Sequence, residues 1–339
     1  MNTPNILRDA IPRPRPDFQQ LLRVLRRQGG TPAHVPLYEL FVNREVQEAL
    51  LGKRVPDQLS TIAFYYQAGY DYVPVWPVLA MPIGSLIDTT SDYPIKDWSS
   101  LAAYPWPSPS DIDFRWFDIV AERLPQGMQI IGQTSGIIER AQELCGYVGL
   151  CTFLAMDRDL VRELFEKVGK LYVAMYEGMA SREAVGAVVI SDDLGYKSQT
   201  LVAPDDIREF VLPWHERLAQ AIHRHGKPCI MHSCGQVGAV MEDLIDYVGI
   251  DAKHSFEDQI LPVTEAKALY GDRIAILGGF DVDRLCRSTP EEIRDYTRML
   301  IECCGEGGGY AFGSGNSIAD FVPIPNYLTM LHEAWRSRE

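Results

Sequence analysis

Residues 228–235 read Pro-Cys-Ile-Met-His-Ser-Cys-Gly, an apolar run that stops at a His-x-Cys pair and a glycine. A short apolar run bounded in this way predicts a buried β-strand. Side chains two residues apart lie on the same face of a strand, so the His232 imidazole and the Cys234 thiol should point the same way at its C-terminal end. A nitrogen and a sulfur ligand together suit zinc better than magnesium or calcium.

A second interpretation of this pair needs no metal. A histidine and a cysteine near the end of a strand are often a hydrogen-bonded polar group and a small buried hydrophobe. A catalytic zinc site usually takes three protein ligands and keeps one position open. Since His232 and Cys234 supply only two ligands, spacing alone leaves both interpretations open.

Seven further apolar or β-branched runs predict strands, most of them followed by polar residues and then a helical pattern. Strands that alternate with helices are parallel and joined by crossovers, and eight such units in 339 residues favour an α/β fold with a single closed (β/α)₈ (TIM) barrel. We therefore expect an N-terminal arm over residues 1–16 and one barrel domain over 17–339, with a lead helix over 18–27 on the N-terminal side of the barrel. The eight predicted strands are 35–41, 70–75, 128–134, 187–192, 228–234, 249–255, 273–281 and 308–314.

The overall charge excludes some classes of partner. The chain has a formal net charge of −14 and a pI near 5.0, which argues against binding to nucleic acid or to an anionic membrane surface. Its seven cysteines are odd in number, so a disulfide framework is not expected. The N-terminal residues lack the pattern of a signal peptide, and no stretch is long enough to span a bilayer. We expect a cytoplasmic protein.

Polar side chains gather where the predicted strands end, which is where barrels of this type build their sites. Buried carboxylates and histidines are costly unless they are paired or functional, so their convergence indicates a site. Each residue alone also has a structural interpretation: Asp192 or Asp193 could cap a helix, Glu257 could begin one, and Asp281 could fix a turn. The group comprises Glu39, Gln133, Thr134, Glu139, Asp192, Asp193, His232, Cys234, His254, Glu257, Asp281, Ser314 and Asn316.

Five segments of the chain together resemble the uroporphyrinogen decarboxylase superfamily. The likeness runs from about residue 16 to residue 335 and is strongest after residue 187. It implies a (β/α)₈ barrel, often a homodimer, with one of two chemistries: decarboxylation of uroporphyrinogen without a cofactor, or methyl transfer between cobamides and small molecules, usually with zinc. The segments are Gly69-Tyr-Asp-Tyr-Val73, Ser191-Asp-Asp-Leu-Gly195, His232-Ser-Cys-Gly235, Leu277-Gly-Gly-Phe-Asp-Val282 and Gly313-Ser-Gly-Asn316.

Two departures disfavour the decarboxylase branch. Uroporphyrinogen decarboxylases carry an arginine-rich Met-Arg-Gln-Ala-Gly-Arg segment near the first strand, whereas this chain has Leu-Tyr-Glu-Leu-Phe-Val-Asn-Arg at 37–44. A tetrapyrrole with many carboxylates needs compensating cations, which this segment does not supply. The decarboxylase Gly-His-Gly motif near the last strand is also replaced, by Gly-Ser-Gly-Asn at 313–316.

The methyltransferase branch implies a zinc site on His232 and Cys234. Its usual second cysteine, after the last strand, is replaced by Ser314, which is a poor zinc ligand. The third ligand is therefore open: His254, Glu139, Asp193 and Glu257 lie at the ends of neighbouring predicted strands, and Glu139 or His254 is the preferred candidate. The cobamide would be carried by a separate corrinoid protein, because this chain lacks an Asp-x-His-x-x-Gly cobalamin-binding motif.

These considerations predict a corrinoid-dependent methyltransferase, or demethylase, that moves a methyl group between a small methylated substrate or thiol and the cobamide. One alternative is a decarboxylase of a porphyrinogen or a smaller acid, with Lys197 or Lys253 facing the pocket. The other is a non-catalytic barrel that binds a small molecule. We assign catalytic roles to Glu139, Asp193, His254 and Asp281, and substrate contacts to Glu39, Trp76, Gln133, Tyr196, Glu257, Ser314 and Asn316.

Overall fold

Seven parallel strands form one sheet whose spatial order follows the chain, in a computed structural model that describes residues 7, 14–28, 30, 33–86 and 92–337. Every neighbouring pair is parallel, as expected when each strand is joined to the next by a crossover. The fold class predicted from the sequence is confirmed. The strands are β1 Tyr72–Val75, β2 Gln129–Thr134, β3 Val185–Ser191, β4 Cys229–His232, β5 Ala252–His254, β6 Ala275–Leu277 and β7 Tyr310–Ala311.

Helices cover the outside of the sheet, and the strands are buried on both faces. The longest helix, α8, shows why: its buried side chains recur at helical spacing along one face and pack on β3. The helices are α1 Phe18–Leu25, α2 Arg44–Leu51, α3 Ile62–Gln67, α4 Trp98–Ala103, α5 Arg115–Ala121, α6 Ile137–Cys145, α7 Tyr147–Met156, α8 Arg158–Ala180, α9 Leu212–His223, α10 Val263–Tyr270, α11 Val282–Arg287, α12 Pro290–Gly305 and α13 Ile324–Arg336. Short helical turns lie at Pro109–Asp111, Pro204–Asp206, Ile207–Val211, Gly238–Val240, Met241–Asp243 and Leu244–Val248.

The predicted first strand, 35–41, is reduced to single bridges that close the barrel. Leu37 forms a parallel bridge with Phe312, directly after β7, and Val42 forms another with Ile318. Pro36 has no amide proton, so a regular ladder cannot extend through it, although its carbonyl accepts from Phe312 N at 2.8 Å. On the other side, the Tyr72 hydroxyl of β1 lies 2.7 Å from the Glu39 amide. At this seam, side-chain hydrogen bonds thus replace part of the backbone hydrogen bonding that a regular strand ladder would supply.

Helix α1 lies against the segments that precede β2 and β4. The Phe18 amide donates to the carbonyl of Gly127, shortly before β2, at 2.9 Å. Arg26 donates to the carbonyl of Gly226, shortly before β4. The opposite end of the barrel is therefore the open one. The boundary between an arm and the barrel at residue 16 stays a prediction, because residues 1–6 and 8–13 lie outside the described part of the chain.

Asp192, directly after β3, ties the sheet to two helices through a fully buried carboxylate. It accepts from the Ile137 and Ile138 amides at the start of α6, at 2.9 and 3.1 Å. It also pairs with His215 Nε2 on α9 at 2.7 Å. The amides at a helix start have no partner within the helix, so the carboxylate stabilises α6 in the way that a capping residue does, from a neighbouring strand.

None of the helices in the described part of the chain combines the length and the apolar character that a membrane crossing needs. All seven cysteines are free thiols, and Cys145, Cys229 and Cys304 are buried.

Asp192→Ala should lower the free energy of unfolding by about 3 kcal/mol or more, because it leaves buried donors without an acceptor. Urea denaturation measures this loss. The exposed Asp320 provides the control, since Asp320→Ala should change stability by less than about 0.5 kcal/mol. Equal effects of the two substitutions would contradict a capping role for Asp192.

Candidate metal and active site

Two histidines lie side by side in the barrel interior, one at the end of β4 and one at the end of β5. The parallel register pairs His232 with His254, and their Nδ1 atoms are 2.8 Å apart. His254 Nε2 lies 3.3 Å from the carbonyl oxygen of Ser314. Burial lowers the pKa of His254 to about 3 and lowers the pKa of His232 well below its usual value. Both rings are therefore neutral near pH 7.

His232, Cys234 and Asp193 bring a nitrogen, a sulfur and an oxygen ligand together, all within 4.8 Å of one another. The Cys234 sulfur lies 3.5 Å from His232 Nε2, and Asp193 Oδ1 lies 3.8 Å from the same nitrogen. The Cys234 amide donates to Asp193 Oδ1 at 2.8 Å. The side chains of His232 and Cys234 thus enter one site, as their spacing in the sequence predicts.

Gly235 allows the loops after β3 and β4 to touch. Its φ is +75°, and a Cβ atom there would lie 2.4 Å from the carbonyl carbon of Gly195. A side chain at either position would push the two loops apart. Because Asp193 and Cys234 lie on these loops, the glycine contact holds two of the three potential ligands together.

Two further side chains donate hydrogen bonds to the Cys234 sulfur. Asn316 Nδ2 lies 3.1 Å from it and the Ser255 hydroxyl 3.6 Å from it. Burial, with a smaller contribution from Asp193, nevertheless raises the pKa of the thiol to about 12. The free site therefore holds a protonated thiol, and a bound cation is what would favour the thiolate.

Lys253 links the loops that follow β4 and β5. Its ammonium donates to the carbonyls of Ser233, His254 and Ser255 at 3.1, 3.1 and 2.8 Å. The residue is only 2% exposed, and burial lowers its pKa to about 8. Ser255 has a φ of +83°, which is rare for a residue other than glycine. The lysine therefore secures a strained loop beside Cys234.

Glu139 lies next to Asp193 at the start of α6. Its carboxylate accepts from the Gly136 amide at 2.9 Å. Burial, together with the nearby Asp192 and then Asp193, raises the pKa of Glu139 to about 8. The geometry thus favours Asp193, rather than Glu139 or His254, as the third potential ligand. Asp193 shares with His232 and Cys234 a cluster in which the potential ligand atoms lie within 4.8 Å of one another.

Glu39, Gln133 and Ser314 are buried, and their polar atoms bond to the protein. The Glu39 carboxyl group, whose pKa burial raises to about 8, accepts from the Ser314 amide at 2.7 Å and from the Ser314 hydroxyl. Gln133 Nε2 donates to the carbonyl of Leu40 at 3.0 Å. Their contact with a substrate stays a prediction, while these bonds give each residue a role in the barrel itself.

A cavity of about 450 Å³ opens beside the ligand cluster. Asn316 lines it and donates to the Cys234 sulfur, so it connects the cavity to the cluster. Three aromatic side chains and several charged ones share the wall, a composition typical of small-molecule sites. The wall includes Phe41, Phe256, Phe321, Lys197, Glu257, Asp281 and Asp283.

Three other residues predicted to act in catalysis or substrate binding lie at the open end of the barrel in different surroundings. Asp281 lines the cavity, but its carboxylate accepts from the Arg284 and Asp258 amides, both at 2.9 Å, and so caps α11. Tyr196 is 62% exposed on the loop after β3. Trp76 follows β1, and its amide donates to the Gln58 side chain at 2.9 Å. Their predicted roles in catalysis or substrate binding stay predictions.

The structure adds residues that the sequence analysis did not assign to the site. Ser255 contacts the sulfur, and Phe41, Phe256 and Phe321 line the cavity. The sequence offers Lys253 as a cation facing a pocket, and in the structure its ammonium bonds to three loop carbonyls.

Residues 93–336 match the family model described as "Uroporphyrinogen decarboxylase (URO-D)". The chain belongs to the uroporphyrinogen decarboxylase family. This confirms the resemblance derived from the sequence motifs.

Curated relatives within this family carry both of its chemistries. A methylated-thiol–coenzyme M methyltransferase of Methanosarcina mazei is 32% identical over 38% of this chain and 37% of its own length. A methylcobamide:CoM methyltransferase of Methanosarcina barkeri is 23% identical over 63% and 60%. A uroporphyrinogen decarboxylase of Anaeromyxobacter dehalogenans is 27% identical over 53% and 49%. The matches thus span less than two thirds of each relative.

A solved structure shares the fold over nearly its whole length. It is a methyltransferase from Methanosarcina mazei, with a TM-score of 0.74 and 17% identity, and the match covers 93% of this chain and 97% of that one. At this identity the likeness supports the fold alone. It agrees with the barrel described above.

Lys253→Met should lower the free energy of unfolding by about 2–3 kcal/mol, because it leaves buried carbonyls without a donor. The exposed Lys197 serves as the matched control: Lys197→Met should change stability by less than about 0.5 kcal/mol. Chemical denaturation compares the two variants. If Lys253→Met is as stable as the wild-type protein, the lysine does not brace the loops.

Proposed function

We propose that this chain is a zinc-dependent methyltransferase that transfers a methyl group between a small substrate and a cobamide carried by a separate corrinoid protein. The observation that carries this proposal is the convergence of His232, Cys234 and Asp193 at the open end of the barrel. Family membership and the methyltransferase relatives support the class of reaction. We also propose that the protein is a homodimer, as is common for this family.

The three side chains fit zinc by their chemistry. An imidazole nitrogen, a thiol sulfur and a carboxylate oxygen are all accepted zinc ligands, and three protein ligands leave a position for a substrate. His232, Cys234 and Asp193 would hold the ion. When bound, zinc lowers the pKa of a coordinated thiol or draws charge from the atom that releases the methyl group.

The surrounding residues would orient the ligands and the substrate. Asn316 and Ser255 donate to the Cys234 sulfur, so they hold its lone pairs in fixed directions and stabilise its anionic form. The 450 Å³ cavity beside Asn316 is large enough for a small molecule. Phe41, Phe256 and Phe321 would shield that molecule from water, because they line the same cavity.

The charge of this cavity distinguishes the two branches of the family. Among the described residues that line it, Glu257, Asp281 and Asp283 carry negative charge, and Lys197 is the one cation. A porphyrinogen with several carboxylates would meet repulsion there. Lys253, the other lysine considered for a decarboxylase, is bonded to three carbonyls. Methyl transfer is therefore the better supported reaction.

Wild-type protein purified without added metal should contain about one zinc per chain. Cys234→Ala should lose the metal, because two ligands are too few for a catalytic site. The variant should also lose methyl transfer from added methylcobalamin. Cys286→Ala is the matched control, because Cys286 is a partly exposed thiol outside the cluster. Elemental analysis and absorbance of the cobamide measure the two properties.

The competing account treats Cys234 as a small packing residue. It expects Cys234→Ala to lose only modest stability, with metal content and chemistry unchanged. A metal-free variant that still transfers methyl groups would end the zinc proposal. Thermal denaturation of both variants shows whether the protein is folded under the assay conditions.

Uroporphyrinogen should not be decarboxylated at a measurable rate, because the cavity offers carboxylates where the substrate requires cations. Chromatography of the products after incubation with purified protein measures the reaction. A genuine uroporphyrinogen decarboxylase provides the positive control. Accumulation of coproporphyrinogen in the sample with this protein would overturn the assignment to the methyltransferase branch.

A further inference from the structure

We infer that Glu39, Ser314 and His254 form a hydrogen-bonded relay that fixes the ring tautomer of His232, so that its Nε2 lone pair faces Cys234 and Asp193. His254 is then a positioning residue, because it acts through His232. The role of this lone pair as a metal ligand rests on the proposed function. The tautomer itself can be tested without metal.

The direction of the relay follows from which atoms can donate. The carbonyl oxygen of Ser314 can only accept, so the proton between it and His254 Nε2, at 3.3 Å, belongs to the histidine. The two Nδ1 atoms, 2.8 Å apart, have room for one proton between them. If His254 is neutral, its Nδ1 accepts, and that proton lies on His232 Nδ1. His232 Nε2 is then unprotonated.

The opposite arrangement would require a cationic His254. It would have to donate from both ring nitrogens while fully buried, and its partners are a carbonyl oxygen and another imidazole. Burial of a charge without a directly paired opposite charge is costly. The neutral arrangement is therefore the stable one.

Glu39 fixes the far end of the relay. Its carboxyl group accepts from the Ser314 amide at 2.7 Å and also from the Ser314 hydroxyl. With both groups held, the orientation of the Ser314 peptide is set, and its carbonyl accepts from the Gly279 amide at 3.1 Å as well as from His254. This use of the serine hydroxyl gives Ser314 a function that does not depend on binding metal.

Gly278 leaves room for the hydrogen bond between His254 Nε2 and the Ser314 carbonyl oxygen. A Cβ atom at Gly278 would lie 2.2 Å from the Ser314 carbonyl oxygen and 2.8 Å from His254 Nε2. Those two atoms are the acceptor and the donor of the same hydrogen bond. The backbone of Gly278 has a φ of +75°, which glycine adopts at little cost. The fold therefore accommodates the relay at a position where any other residue would disturb it.

The test compares His254→Asn with His254→Leu in the full chain. The two side chains have nearly the same shape, so the packing lost relative to histidine is matched, but only asparagine offers an oxygen near the former Nδ1 atom. The affinity for zinc is measured by competition with a chelator, and cobalt(II) absorption provides a second readout of the ligand geometry. Thermal denaturation verifies that both variants fold.

His254→Leu should weaken zinc binding by about 10–100-fold, the usual effect of losing a group that orients a metal ligand, while His254→Asn should retain most of the affinity. Equal losses in both variants would assign His254 a packing role and overturn the relay. Unchanged affinity in both variants would also overturn it.

Nitrogen NMR of metal-free protein labelled with ¹⁵N-histidine examines the tautomer directly, with His232→Gln used for assignment. The relay predicts a proton on Nδ1 of His232 and on Nε2 of His254. A proton on His232 Nε2 would overturn the relay even if zinc binds. Conversely, a wild-type protein that binds no zinc but shows the expected tautomers would overturn the proposed function and leave the relay intact.

Discussion

The open end of this barrel depends on one constraint: polar groups that enter the interior with the strand ends must find partners there. Water cannot reach His254, Glu39 or Asp192, all of which are fully buried. Each is therefore bonded to a neighbouring strand, to the loop after β7 or to a helix start, and these bonds connect the seam of the barrel, the two histidines and helix α6. The hydrogen bonds that satisfy these buried polar groups thus also fix the positions of the side chains at the open end of the barrel.

The fold was predictable because the apolar runs and the helical patterns alternate along the whole chain. Seven of the eight predicted strands form. Six are shorter than predicted, since a strand ends where its ladder ends and an apolar run can continue further, whereas β3 begins two residues earlier than predicted. Segment 35–41 has the composition of a strand, but Pro36 cannot donate a hydrogen bond to a ladder. Isolated bridges and the side-chain bonds of Glu39 hold the segment instead. Single-sequence patterns do not reveal which hydrogen bonds a neighbouring segment will offer.

The site was predictable where spacing along one strand decides it, and less so where separate loops meet. His232 and Cys234 enter the same site because side chains alternate along a strand. The approach of Asp193 depends on contact between two loops at Gly195 and Gly235, which no periodicity encodes. The bonds of Ser255 and Asn316 to the sulfur likewise require distances across strands.

The seam between segment 35–42 and its neighbours has a consequence for the motions of the protein. Isolated bridges and side-chain bonds hold this segment, whereas continuous backbone ladders join β1 to β7. Segments with fewer cooperative backbone bonds open at lower free energy than the core around them, and their amide protons exchange sooner with solvent. Because Glu39 lies in this segment, transient opening there would also release Ser314. The barrel thus places a segment held by isolated bridges and side-chain bonds next to the residues that order its open end.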